Sequence, residues 1–394
     1  MKQIIRCIVS VLVIMLFTGC VKNDSPTTEE LMEKYSESEQ VVIWVYDDYE
    51  VLETAVGYFN YRSEQGNVVL KKYSSDDIDL FQFQQKVQAA VMSEDGPDLI
   101  LSNNPSYMKD IDKIIYAGAL SSWNEVISEW DEEMYYCTAI DGVKTANGDI
   151  YVLPLSFDIE MIYTSESIQD KYHITKDNFD NIDTLKKLFL HLEHDTLFYG
   201  SINFLSCIPK LYDVRNQTTD LLSEPNRSRW ADWNQISLKQ YTKQNLTFQE
   251  QLEMVADETI PFLLSDSSVL LDADAMGLIS YPMKDVNSEV IGDIKWYALL
   301  PKSTKKTTTI NAFLQSFLFD TDSINYGDGI SLSVKRSEKQ GYGNMASVLK
   351  QPIRLYARTM TRMRFNSDLQ NCISASNESD WEELERSINI YLSE

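Results

Sequence analysis

A chain of 394 residues exceeds what one hydrophobic core usually supports, and 43% hydrophobic residues give it material for two. Asp and Glu number 60 against 35 Lys and Arg, a formal net charge of −25. That balance excludes a nucleic-acid binder and a protein held to anionic lipid by its own charge, and it leaves a solvated acidic surface or an affinity for cationic ligands.

The chain begins with a short basic region, Lys2 and Arg6, followed by the apolar run Ile8 to Phe17 and by Thr18-Gly19-Cys20. The run is too short to span a bilayer comfortably. The pattern resembles a bacterial lipoprotein signal over residues 1–20, which implies that Cys20 becomes the lipidated first residue of the mature chain. Phe17 departs from the smaller aliphatic residue usual there. Residues 21–40, rich in Ser, Thr, Glu and Asp, have too few apolar side chains to fold and read as a tether holding the body on the order of 25 Å from the membrane. Beyond it, Cys137, Cys207 and Cys372 are widely spaced and show no CxxC or Cys/His ligand spacing, so neither a zinc site nor a disulfide framework is expected.

Val41 to Val45 is a continuous apolar run suited to a strand buried on both faces. Leu52, Ala55, Val56 and Phe59 follow at helical spacing, with Gly66 as a stop. Val68 to Leu70 is a second strand; Leu80, Phe83, Val87, Ala90 and Val91 mark a second helix, and Asp98 to Leu101 a third strand after Gly96-Pro97. Such a β-α-β-α-β order predicts a parallel sheet whose ligands bind beyond the C-terminal strand ends, here Tyr46, Asp47 and Asp48 and the segment with Asn103 and Asn104.

Asn147-Gly148-Asp149 is a turn signal, and Ile150 to Leu153 reads as a strand. Pro154 cannot donate to a ladder, so this strand is expected to lie at an edge or to leave its sheet there, with a second run from Ile159 to Tyr163. Asp158 and Glu160 lie beside the break. An extended segment of this kind suits a chain crossing between two lobes, with its acids facing a cleft; an ordinary two-strand connection with solvated acids fits the same residues.

Several segments in order resemble the extracellular solute-binding proteins of ABC importers, the group that includes the maltose-binding protein. They are KVQAAVMSEDGPDL (Lys86 to Leu99), YAGALSSW (Tyr116 to Trp123), the crossover from Ile140 to Tyr163, WYALLP (Trp296 to Pro301) and GDGISLSVKRS (Gly327 to Ser337). The resemblance implies an α/β, two-lobed periplasmic-binding-protein-like fold with a ligand cleft between the lobes. The N-terminal lobe would take residues 41–152 and 301–352, and the C-terminal lobe 153–300 and 353–394. Asp266 and Ser267 would lie on a cleft loop after a strand ending at Leu264, in which the family often carries an aromatic that this chain lacks. The function implied is a lipid-anchored monomer outside the cytoplasm. It would capture a small polar solute, a carbohydrate ahead of a cationic one, and deliver it to ABC permease subunits without cofactor, metal or catalytic residue.

Two other readings stay open. Paired acids, Asp47/Asp48 and Asp158/Glu160, suit a cell-surface glycoside hydrolase, and the same fold serves binding or sensory lipoproteins without transport. His191 and His194 would share one helical face, but Leu185, Leu188, Phe189 and Leu192 explain that helix as a packing element. Arg354, Arg358 and Arg362 recur at helical spacing and read as a solvated face pairing with local acids. Tyr46, Tyr107, Phe157 and Trp296 are the aromatic candidates for stacking on a sugar.

Overall fold

The computed structural model describes residues 40–46, 50–63, 66–93, 96–102, 110–131, 135–209, 211–242, 246–320, 332–333, 345–357, 359–375 and 378–393. The signal, residues 21–39 of the tether, Asp47, Asp48, Asn103, Asn104, Tyr107 and Arg358 lie outside the described residues, whereas Gln40, expected in the tether, already pairs in the first strand. Twelve strands are described: β1 Gln40–Tyr46, β2 Asn67–Tyr73, β3 Leu99–Ser102, β4 Val152–Thr164, β5 Phe198–Tyr199, β6 Tyr212–Asp213, β7 Thr218–Thr219, β8 Phe262–Asp266, β9 Ile279–Pro282, β10 Val290–Leu299, β11 Leu332–Ser333 and β12 Ile353–Ala357.

The expected β-α-β-α-β start is present. β2, β1 and β3 pair in parallel, with the helices Glu50–Arg62 and Leu80–Val91 as crossovers. The second helix begins where Asp79 caps the backbone of Gln82 and Gln82 returns the bond, and it buries Phe83, Val87, Ala90 and Val91. Asp98, next to Pro97, accepts from the Val42 N–H and from Lys306 Nζ, both at 2.9 Å, and so ties β1 to the residue that precedes the late helix Thr307–Asp320.

Two long strands organise the remainder. The main sheet runs β2-β1-β3-β10-β4-β8-β5, with β9 and β11 also on β4 and β12 also on β10. The first half of β4 pairs with β10 and β11, and its second half with β8 and β9. β10 likewise pairs with β12 through Val290 to Ile294 and with β3 through Tyr297 to Leu299. Both strands therefore traverse the molecule and link one half of the sheet to the other.

Pro154 does not break β4 as its chemistry suggested. The strand runs unbroken over 13 residues, and Pro154 sits opposite Tyr297 where the ladder shifts register between Trp296 and Tyr297. The shift leaves Leu155, the next residue, without a partner, so the proline stands at an irregularity of the ladder, where prolines within sheets are tolerated. Gly292 on β10 is the tightest point of the crossing, since a Cβ at this position would stand 2.2 Å from the carbonyl oxygen of Asp158.

Buried apolar side chains form two clusters. One is built on β1 to β3 and the helices around them, with Trp123, Phe313 and Phe317 fully enclosed, and extends along β4 to Leu252, Val255 and Leu270. The other packs Phe189, Phe204, Trp230 and Trp233 against the helices Met360–Ala375 and Glu378–Ser393 through Phe365, Leu369, Leu384 and Ile388. The described part of GDGISLSVKRS is the short strand β11.

Candidate functional site

A cavity of about 1120 Å³ takes its wall from side chains packed on both clusters. It is lined by Asp112, Ile115 and Tyr116 from the helix Ile111–Tyr116, by the turn Thr145 to Asp149 and by Tyr151. Glu160 on β4, Asp266 on β8, Asp293 on β10, Tyr356 on β12 and Arg362 on the helix Met360–Ala375 complete the lining, with Tyr199 and Tyr212. The turn at Asn147 follows from Gly148, whose φ of 84° is a left-handed conformation that glycine adopts freely. Gly200, at φ 104°, lets the end of β5 close onto β8: a Cβ there would meet the Leu264 carbonyl oxygen at 2.0 Å.

Among the residues expected in a cleft, Glu160 and Asp266 line this cavity, whereas Asp158 and Ser267 are buried outside its lining. Asp158 is 2% exposed and holds Lys295 Nζ at 2.9 Å. Ser267, also buried, accepts from the Ile159 N–H at 3.0 Å and donates to Asp158 Oδ1 at 3.4 Å. Asp266 caps the turn Ser267–Val269 by accepting from the Ser268 N–H at 3.0 Å, and its Oδ2 stands 3.5 Å from Lys295. Burial pushes the Asp158 carboxyl up to about 6; Lys295 pulls the other way, and the charges of Asp266 and Asp293 push it up further.

The aromatic candidates among the described residues belong to the core. Phe157 and Trp296 are enclosed, and Tyr46 is buried, its hydroxyl donating to the Ile78 carbonyl at 3.0 Å and its ring 5.0 Å from that of Phe83. The rings that do reach the cavity, among them Tyr116, Tyr151, Tyr199 and Tyr212, carried no distinguishing local pattern. Asp293 had one: it is an acid, with Lys295 two places on, inside the otherwise apolar run from Val290 to Leu300.

The arginines do not form a helical stripe. Arg354 stands on β12 and pairs with Glu289 and, at 3.6 Å, with Asp285, while Arg362 belongs to the next helix. Arg362 Nη2 donates to both oxygens of Asp112, at 3.3 and 3.2 Å. Burial works against its charge, but Asp112 and the neighbouring tyrosines hold its pKa above the ordinary arginine value. The helix carrying His191 ends at that residue, so His194 does not share its face; Nδ1 of His194 instead accepts from the Thr196 N–H at 3.3 Å. Cys137, Cys207 and Cys372 are free thiols.

No protein-family model matches the sequence. A search of curated proteins likewise finds no sequence relative. Solved structures do match. The sugar-binding protein MalE of Xanthomonas citri aligns with a TM-score of 0.61 at 11% identity, over 90% of this chain and 97% of that one. A family 1 extracellular solute-binding protein of Alicyclobacillus acidocaldarius gives 0.57 at 13% identity over 90% and 98%. An ABC transporter solute-binding protein of Thermotoga lettingae, bound with α-D-tagatose, gives 0.52 at 13% identity over 90% and 100%. At these identities the likeness is one of fold, and it spans nearly the whole of each structure. The chain has the two-lobed α/β fold of the periplasmic-binding-protein class of solute receptors.

Proposed function

We propose that this chain captures a carbohydrate in the cavity between its two lobes and delivers it to an ABC permease from the outer face of a membrane, to which Cys20 anchors it. The observation that carries the reading is the cavity itself, on the fold shared with sugar-binding receptors. Its volume of about 1120 Å³ admits a saccharide of more than one ring, and its wall combines tyrosine faces with carboxylates. Rings of this kind pack against the C–H faces of a sugar, and carboxylates accept hydrogen bonds from its hydroxyls. Contacts from both sides stabilise a closed arrangement over an open one, and only that difference shifts the population. The lobes are assigned as residues 41–152 with 301–352, and 153–300 with 353–394, the crossing strands joining them. Among the described residues no helix is long and apolar enough to cross a membrane, and the proposed attachment is the lipid on Cys20.

Binding rather than hydrolysis is favoured because the carboxyls whose pKa is raised among the described residues, Asp158 and Asp285, do not line the cavity, and Asp158 is buried and paired with Lys295. The test is a thermal-stability screen of sugars, polyamines, amino acids and peptides, in which a ligand at about 100 times its Kd adds roughly 2.7 kcal/mol. A response to saccharides supports the reading. A response confined to the other classes overturns the carbohydrate assignment, and cleavage of a glycan overturns binding without chemistry.

A further inference from the structure

Two helices that belong to different buried clusters are joined beside the cavity. Ile111 and Ile114 of the helix Ile111–Tyr116 are buried in one cluster, and Phe365 and Leu369 of the helix Met360–Ala375 in the other. Polar contacts connect them. Arg362 Nη2 donates to both oxygens of Asp112, and Thr361 Oγ1 donates to Asp110 Oδ1 at 2.6 Å. Lys113 Nζ adds a third contact, 4.2 Å from the centroid of the Tyr391 ring, which stands edge-on to Tyr212 and Phe365.

Both helix starts forgo a local advantage for these contacts. Asp110 occupies the N-cap position of its helix, where a carboxylate ordinarily accepts from a first-turn N–H; it makes no such bond and takes the Thr361 hydroxyl instead. Arg362 lies in the first turn of its own helix, with its N–H on the Thr359 hydroxyl at 3.1 Å, where the helix dipole favours an anion over a cation. Asp112 supplies that anion from the other cluster's helix. Asp112 and Arg362 line the cavity, whereas Asp110, Thr361, Lys113 and Tyr391 do not. The cavity is therefore bordered both by β4 and β10, which link the two halves covalently, and by a side-chain contact that can be released.

We propose that these three contacts form a clasp that holds the lobes in the described arrangement while the cavity is empty, so that affinity is set partly by residues no ligand touches. The inference rests on the two-lobe reading and not on the identity of the solute, so the clasp and the carbohydrate assignment fail separately. Loosening the clasp lowers the population in which both walls reach a ligand, and the apparent Kd rises in inverse proportion to that population.

The experiment is small-angle X-ray scattering of the empty, folded chain, which reads the arrangement of the lobes without any ligand. Thr361→Val combined with Lys113→Met removes two of the contacts and alters no cavity residue. It should increase the radius of gyration, with the ratio of loosened to clasped molecules rising at least about tenfold, because a hydrogen bond to a charged group is lost. Asp112→Arg and Arg362→Asp should each do the same alone, and the two together should return the wild-type curve, since exchanged charges still pair. Curves unchanged in all of these variants overturn the clasp and leave the crossing strands to fix the lobes by themselves. A wild-type chain that already scatters as a spread of arrangements overturns it too, since nothing is then held. A charge-exchanged protein as expanded as its single variants, or a Thr361→Val, Lys113→Met chain that no longer melts cooperatively, overturns it by assigning these residues to the scaffold.

Discussion

Replacing Asp158 with asparagine keeps the shape of the side chain and removes its charge, so it isolates what ionising this buried group costs. The carboxyl stands at about 6 in the folded protein against 3.8 ordinarily, chiefly because burial deprives its charged form of water. At about 1.4 kcal/mol per unit, the folded state is less stable by about 3 kcal/mol once Asp158 is ionised in both states. The sign follows from proton counting. Between the two pKa values the folded chain holds the proton and the unfolded chain has lost it, so stability falls as pH rises through this window and levels off above the folded value. Below the unfolded value both states are protonated, and wild type and variant differ only by shape and hydrogen bonding. Unfolding free energies from denaturant titrations of both proteins should therefore separate with pH. The variant is expected to gain about 3 kcal/mol on the wild type between about pH 3.5 and about pH 7.5. A difference that stays constant within about 1 kcal/mol across this range would mean that water reaches Asp158, and that the acid stands in an open cleft as its sequence context suggested rather than behind the wall.

Gly292→Ala drives a methyl group to 2.2 Å from the Asp158 carbonyl where β10 crosses β4, and should cost about 1–3 kcal/mol or more by overpacking; a loss under about 0.5 kcal/mol in chemical denaturation would show that the crossing can yield. Arg362 to Asp112 bridges a helix that buries Ile111 and Ile114 in one cluster and a helix that buries Phe365 and Leu369 in the other, beside the Thr361 to Asp110 hydrogen bond of 2.6 Å. A double-mutant cycle of Asp112→Asn and Arg362→Gln should give a coupling of about 1–2 kcal/mol, and additivity within about 0.3 kcal/mol would show the two side chains to be energetically independent. Cys20→Ala should abolish lipid labelling and membrane retention in cells whereas Cys7→Ala should not; unchanged retention and processing of the first variant would refute the anchor.

Much of the architecture was legible locally. Val41 to Val45 and Leu99 to Leu101 are apolar on both faces because each lies inside a sheet covered on both sides, and Phe83, Val87 and Ala90 recur as a helical stripe because one face of their helix is buried. The capping residue Asp79 and the Gly148 turn are also short-range devices, set by the backbone donors of their own neighbours. Pro154 misled for the same reason. Its own chemistry argues for a strand end, and only the register shift on β10, in a segment far along the chain, shows where its missing donor is accommodated.

The composition of the site belongs to the other category. The sequence by itself determined that acids would stand at the end of β8 and along the crossing segment, as Asp266, Asp158 and Glu160 do. Which of them face the cavity was decided by the tertiary structure. Asp158 and Glu160 sit two apart on one strand, yet the Lys295 ammonium and Ser267 draw Asp158 into the interior, while Glu160 is set against Asp266 across the ladder. Tyr151, Tyr199 and Tyr356 likewise meet at one cavity from three strand or turn positions with no common spacing. Strand pairing joins residues through hydrogen bonds between backbone groups that every residue carries, so register between distant segments leaves no mark on the identity of a single side chain, and only the packed sheet decides which acid keeps its water.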